Sequence, residues 1–136
     1  MNVCTEIVIP IYNVGVRITL CDNIWKYYQE VGYVGEKEEV NTFQAVVVAC
    51  AGKPGSYYSY DLIILDDDGY TPGVIAHEAY HIVNYVMKFA GVVYSEDSEE
   101  AFAYLLTALV NEITEHLILL KLKKEENGNS NTSEKT

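Results

Sequence analysis

Residues 71–91 read TPGVIAHEAYHIVNYVMKFAG, and the reading of this stretch decides the fold. Thr71 and Pro72 offer an N-cap and a first-turn proline, and Gly91 offers a stop, so a helix is predicted over residues 72–90. Inside it stands His77-Glu78-Ala79-Tyr80-His81, an H-E-x-x-H. Helical residues four apart lie one above the other on the same face, so both imidazoles reach a single ion, with a carboxylate beside them. Two neutral histidines as zinc ligands and a glutamate as general base is the arrangement that metal-assisted hydrolysis asks of a helix. Val74, Ile75, Val83, Val86 and Met87 supply apolar faces to pack the helix against a body. Asn84 shares the histidine face, either as a hydrogen-bond partner for a ligand or as a plain surface polar residue.

The segments before this helix read mostly as strands. CTEIVIPIYNVGVRITLC (4–21) is two β-rich runs about Asn13-Val14-Gly15, a hairpin in which Gly15 is free to take positive φ. Pro10 removes a ladder donor, so the first strand is expected at a sheet edge or with a bulge there. Asp22-Asn23 then caps a short helix that Gly32 ends, with Ile24, Tyr27, Tyr28 and Val31 on its core face. GEKEEVN (35–41) reads as a solvated charged loop. FQAVVVAC (43–50) and SYYSYDLIIL (56–65) form a second strand pair around the turn Ala51–Gly55. Asp66-Asp67-Asp68-Gly69 closes it as an acidic turn, without the alternate-residue spacing of a calcium loop.

Composition narrows the function classes. The chain has 136 residues, 49% of them hydrophobic, enough for one domain with one core. A net charge of −11 argues against nucleic acid, whose phosphates require a basic face, and against an anionic membrane surface. The first twenty residues alternate like a strand and lack a basic leader, and no 18-residue apolar span stands out, so no signal peptide or spanning helix is expected. Cys4, Cys21 and Cys50, without a C-x-x-C, read as free thiols in a reducing, cytoplasmic setting.

EEAFAYLLTALVNEITEHLILLKLKK (99–124) is the last helix, with Ser98 and acidic residues at its start and lysines at its end. The polar residues from 125 to 136 are expected to form a disordered tail, leaving 1–124 as the domain. A catalytic zinc takes three protein ligands and keeps an open position. Asp97, Glu99, Glu100, Glu112, Glu115 and His116 are the candidates for the third. At 100° per residue, Tyr104, Thr107, Ala108 and Asn111 share a stripe with Glu100, whereas His116 is about 160° away. One helix face therefore does not present both Glu100 and His116 to one metal.

HEAYH followed after eighteen residues by Glu100-Ala101-Phe102-Ala103 resembles the gluzincin branch of zincin metallopeptidases, in which a Glu opening an E-x-x-A pattern on a later helix completes the zinc site. The size is closest to the minimal ImmA/IrrE-like peptidase domains. The resemblance covers roughly residues 43–112, about half the chain; DLIILDDDG matches the strand and turn entering the metal helix, and FQAVVVAC the edge strand that pairs with substrate backbone. Tyr104 stands where thermolysin-like enzymes carry an Asp that orients a zinc histidine. No H-x-x-G-x-x-H follows, so the metzincin extension is absent.

The resemblance implies a compact α+β zincin-like domain: a twisted sheet of about four strands, a backing helix, the H-E-x-x-H helix and a C-terminal helix bearing the third ligand. It implies zinc held by His77, His81 and Glu100, with Glu78 as general base and Tyr104 as a donor to the oxyanion, acting on a peptide or protein substrate. The competing expectation is a zinc-binding interaction module on the same scaffold without turnover, which the twelve tyrosines would suit.

Overall fold

A computed structural model describes residues 2–9, 11–50, 59–67 and 70–134, with side chains placed as far as Gly128. Pro10, the turn and strand start at 51–58, and Asp68-Gly69 of the acidic turn lie outside the described residues. The chain is α+β. Strands β1 (Val3–Ile9) and β2 (Val14–Cys21) precede helices α1 (Ile24–Val31) and α2 (Lys37–Val40). Strands β3 (Ala45–Ala49) and β4 (Tyr60–Leu65) follow, then helices α3 (Pro72–Phe89) and α4 (Glu99–Glu134).

The sheet order is β1-β2-β4-β3. β1 pairs antiparallel with β2 and β3 with β4, while β2 and β4 run parallel with Arg17 opposite Asp61. β1 and β3 are therefore the two edges. β4 lies between two neighbours with both faces covered, and Tyr60–Ile64 are all buried. A strand in that position reads as a continuous run rather than an alternation.

Two layers of helix cover the sheet. On one face Ile24, Tyr27 and Tyr28 of α1 and Val40 of α2 pack with Cys21 and Ile63. On the other, Val16, Ile18, Leu20, Leu62 and Ile64 meet Ile82, Val86 and Met87 of α3 and Leu105, Leu109, Ile113 and Leu117 of α4. Burying a Leu or Ile side chain fully contributes about 1.5–3 kcal/mol. Truncating one such as Ile113, which is 0% exposed, to Ala costs about 2–5 kcal/mol because the cavity adds to the lost transfer energy.

Several local expectations are corrected. The positive φ of the first hairpin falls on Asn13 (φ 51°), while Gly15 sits in β2 opposite Val8. Asn tolerates the left-handed region because its short polar side chain bonds locally. The charged stretch 35–41 contains the short helix α2, and Val40 is 2% exposed, so one apolar residue there pulls the segment onto the core. Val31 is 42% exposed rather than core-facing. The segment Glu99–Gly128 of α4 is long and apolar enough, by length and composition, to cross a membrane, where no such span was expected. Leu105, Leu109, Ile113, Leu117 and Leu120 lie against the core, which accounts for part of that hydropathy. Past Leu120 the helix continues through the polar stretch, without a buried side chain among those described.

Candidate metal centre

The phase of α3 is fixed at both ends. The Val74 N–H donates to the Thr71 hydroxyl at 3.3 Å, Pro72 begins the helix, and Gly91 leaves it at φ 76°. That phase turns Ile75, Glu78, Ala79, Ile82, Val83, Val86 and Met87 inward and His77, Tyr80, His81 and Asn84 outward. The two imidazoles meet edge to face with ring centroids 4.9 Å apart. Their Nε2 atoms are 3.2 Å apart.

The bland reading of that distance is a hydrogen bond from one ring to the other. It is also the separation a shared metal demands. Two nitrogens each about 2.0–2.1 Å from one ion in tetrahedral geometry lie about 3.3 Å apart. The pair therefore fits two of a zinc ion's ligands as it stands.

Glu78 is 8% exposed. Burial pushes its carboxyl upward, and the imidazoles of His81 and His77 pull it back in part. Its side chain and that of His77 line a groove whose other wall is Thr42, Phe43, Gln44 and Ala45, with Thr71, Gly73 and Val74 at its end. The groove runs between the first turns of α3 and the beginning of the edge strand β3. Of the run FQAVVVAC, the groove takes the first residues, at the entry to β3.

Glu100 occupies the first turn of α4 and is exposed. Among the described residues, no three His, Cys, Asp or Glu side chains form a metal-holding group, so the structure does not bring Glu100 to the histidine pair. Tyr104, one turn further along α4, is 72% exposed. Asn84 is exposed beside a separate groove lined by Met87, Val92, Tyr94 and Phe102. His116 lies with Glu6 and Val8 of β1, against the opposite edge of the sheet from β3, and its Nδ1 is 2.8 Å from the Glu112 carbonyl. His116 is thus placed by the β1 edge, away from the groove that His77 and Glu78 line beside β3.

Two polar clusters were not expected from the sequence. Asp61, wholly buried in β4, accepts hydrogen bonds from Thr19 Oγ1 (2.9 Å), Tyr27 Oη (2.6 Å) and Tyr33 Oη (2.7 Å). Burial and the Asp61 carboxylate together push the Tyr27 hydroxyl far above its ordinary range. At the far ends of β2 and β4, Lys121 and Lys124 of α4 pair with Asp66, the latter at 2.7 Å. Partial burial raises the Asp66 carboxyl, but hydrogen bonds from those lysines outweigh it and hold the group below the usual carboxylate value. An acidic residue inside an apolar run, Asp61 in YDLIIL, is the only hint the chain carries of the first cluster.

No family model, curated protein or solved structure matches this chain.

Proposed function

We propose that the protein is a zinc-dependent peptidase of gluzincin type, in which His77 and His81 hold the ion and Glu78 is the general base. The observation that carries this reading is the convergence of the His77 and His81 Nε2 atoms at 3.2 Å, with the carboxylate of Glu78 on the wall of the groove beside them. When bound, zinc supplies a Lewis acid for a carbonyl and brings the pKa of water to about 7. Glu78 takes a proton from the attacking water at a carboxylate oxygen and returns it to the nitrogen of the departing amine. Partial withdrawal of that carboxylate from solvent raises its proton affinity, which suits a base that must hold the proton between the two transfers.

A peptide substrate would lie extended along the entry to β3, an edge strand of the sheet, exchanging main-chain hydrogen bonds with it. Glu100 is the proposed third ligand and Tyr104 the proposed donor to the carbonyl oxygen, both from the early turns of the helix packed against α3. Metal analysis of protein purified without added metal tests the reading. Zinc is expected in the wild type and lost in His77→Ala and His81→Ala; full occupancy in both variants would end the reading.

A second reading has its own support. The exposed positions of Glu100 and Tyr104 leave the histidine pair as two outward-facing ligands on a tyrosine-bearing helix face. On that ground the alternative is a zinc-binding interaction module without turnover. Peptide hydrolysis by the wild type that Glu78→Gln abolishes would exclude it.

A further inference from the structure

Zinc in proteins is bound by four ligands, and the pair of histidines on α3 provides two. Among the described residues, no third metal-binding side chain joins them. Both rings are exposed, on a helix face that also carries Tyr80, Tyr85 and Phe89 at 54%, 43% and 85% exposure. That face is unlike the rest of the surface. The chain has 20 acidic residues against 9 basic, yet the one carboxylate on α3 is Glu78, which is buried, and Lys88 is the helix's one other charge. Aromatic side chains with charge depleted are the composition of an interface core. On a molecule of net charge −11, a face without exposed carboxylates is also where two copies repel each other least.

We infer that the outer face of α3 is a self-association surface, on which two copies meet about a two-fold axis and their His77 and His81 side chains close a four-nitrogen zinc site. Symmetry makes the requirement modest, because an isologous contact needs one patch that complements itself. A tetrahedron has opposite edges of equal length lying at right angles. Each His77–His81 pair is one such edge, already 3.2 Å long. Because the pair is strung along its helix at i and i+4, perpendicular edges mean that the two α3 helices cross steeply. The steep crossing brings Tyr80 of each copy nearest the axis, with Asn84 about one turn farther along each helix, and carries the ends of both helices away from it.

A four-nitrogen site has no open position, and the partner helix also lies over the groove that His77 and Glu78 line. The dimer is therefore a latent form of the site, and the monomer is the form that exposes it. The inference rests on the histidine pair being a zinc site and is independent of whether hydrolysis occurs.

Sedimentation velocity of the full chain, with zinc titrated against a chelator and bound metal counted, tests it. Chelated protein should sediment as a monomer, and zinc should convert it to a dimer holding one ion per two chains. His77→Ala and His81→Ala should remain monomeric at every zinc concentration. Asn84→Lys keeps the four nitrogens and places like charges across the axis. It should weaken the zinc-dependent dimer at least tenfold. A monomer that binds one zinc per chain would overturn the dimer while leaving the peptidase reading intact. Folded protein that binds no zinc would overturn both. A dimer that persists in chelator, or in the histidine variants, or unchanged in Asn84→Lys, would overturn the metal bridge.

Discussion

Asp61 and Glu78 are both carboxylates inside the protein, on opposite faces of the same sheet, and their surroundings treat them in opposite ways. Asp61 is met by three hydroxyl donors from β2, α1 and the segment after α1, at 2.6–2.9 Å. A charge with that many short hydrogen bonds is held where it is, and it fastens α1 to the sheet. Glu78 is buried against a groove, raised by desolvation, with two imidazoles as its charged or chargeable neighbours. The contrast separates an acid whose work is to hold two elements together from one whose surroundings suit proton transfer.

Substitutions at the two sites should break that contrast in different observables. Glu78→Gln is expected to lower peptide hydrolysis by about 10²–10⁴-fold, the range for losing a positioned general base, while zinc content and thermal midpoint stay at wild-type values. A parallel loss of zinc or of fold would mean that Glu78 is structural after all.

Asp61→Ala should do the reverse. It removes the acceptor shared by the buried Thr19 and Tyr27 hydroxyls and the half-buried Tyr33 hydroxyl, and at about 1–3 kcal/mol for each unsatisfied buried group the loss should reach about 2–5 kcal/mol. Denaturant unfolding should register it as a lower midpoint, with zinc affinity of the folded fraction unchanged. Asp61→Asn, which keeps acceptor and shape, should cost less than half as much. An Asp61→Ala protein of wild-type stability would show that the hydroxyls find water instead.

The third-ligand assignment comes next in size. Glu100→Ala is expected to weaken zinc binding by more than the roughly 10–100-fold typical of residues that only support a ligand, and His116→Ala to leave it unchanged. Equal zinc affinity in Glu100→Ala and wild type, read by competition with a chelator, would remove Glu100 from the site and favour the two-histidine arrangement.

The smallest effect concerns Asp66, whose carboxyl is held below its ordinary value by Lys121 and Lys124. A carboxyl depressed in the folded state stabilises the protein above its unfolded pKa, about 3.9. That contribution is lost as pH falls through the folded value. Asp66→Asn should flatten the acid limb of the stability curve by about 1 kcal/mol or less, because the lysines are partly solvated. No change in slope would mean that the Asp66 pairs add nothing to the anchoring of α4.

What could be read from the chain alone was local. The cap at Asn23, which accepts from the Lys26 N–H at 2.8 Å, the glycine stop at Gly32, and the Thr71-Pro72 start of α3 each depend on a few neighbouring residues. So does the helical spacing that puts His77 over His81. The α+β class was expected from the family resemblance.

Other features needed the chain to return upon itself. The parallel pairing of β2 with β4, Asp61 against Thr19 across 42 residues, and Lys121 against Asp66 across 55 have no local pattern to announce them. The four-residue helix α2 forms where Val40 reaches the core, overriding a sequence that is charged around it. Helix phase and capping are set by energies between residues a turn apart. Which carboxylate is buried with donors and which is buried beside a groove depends on surfaces that only exist once the sheet has closed.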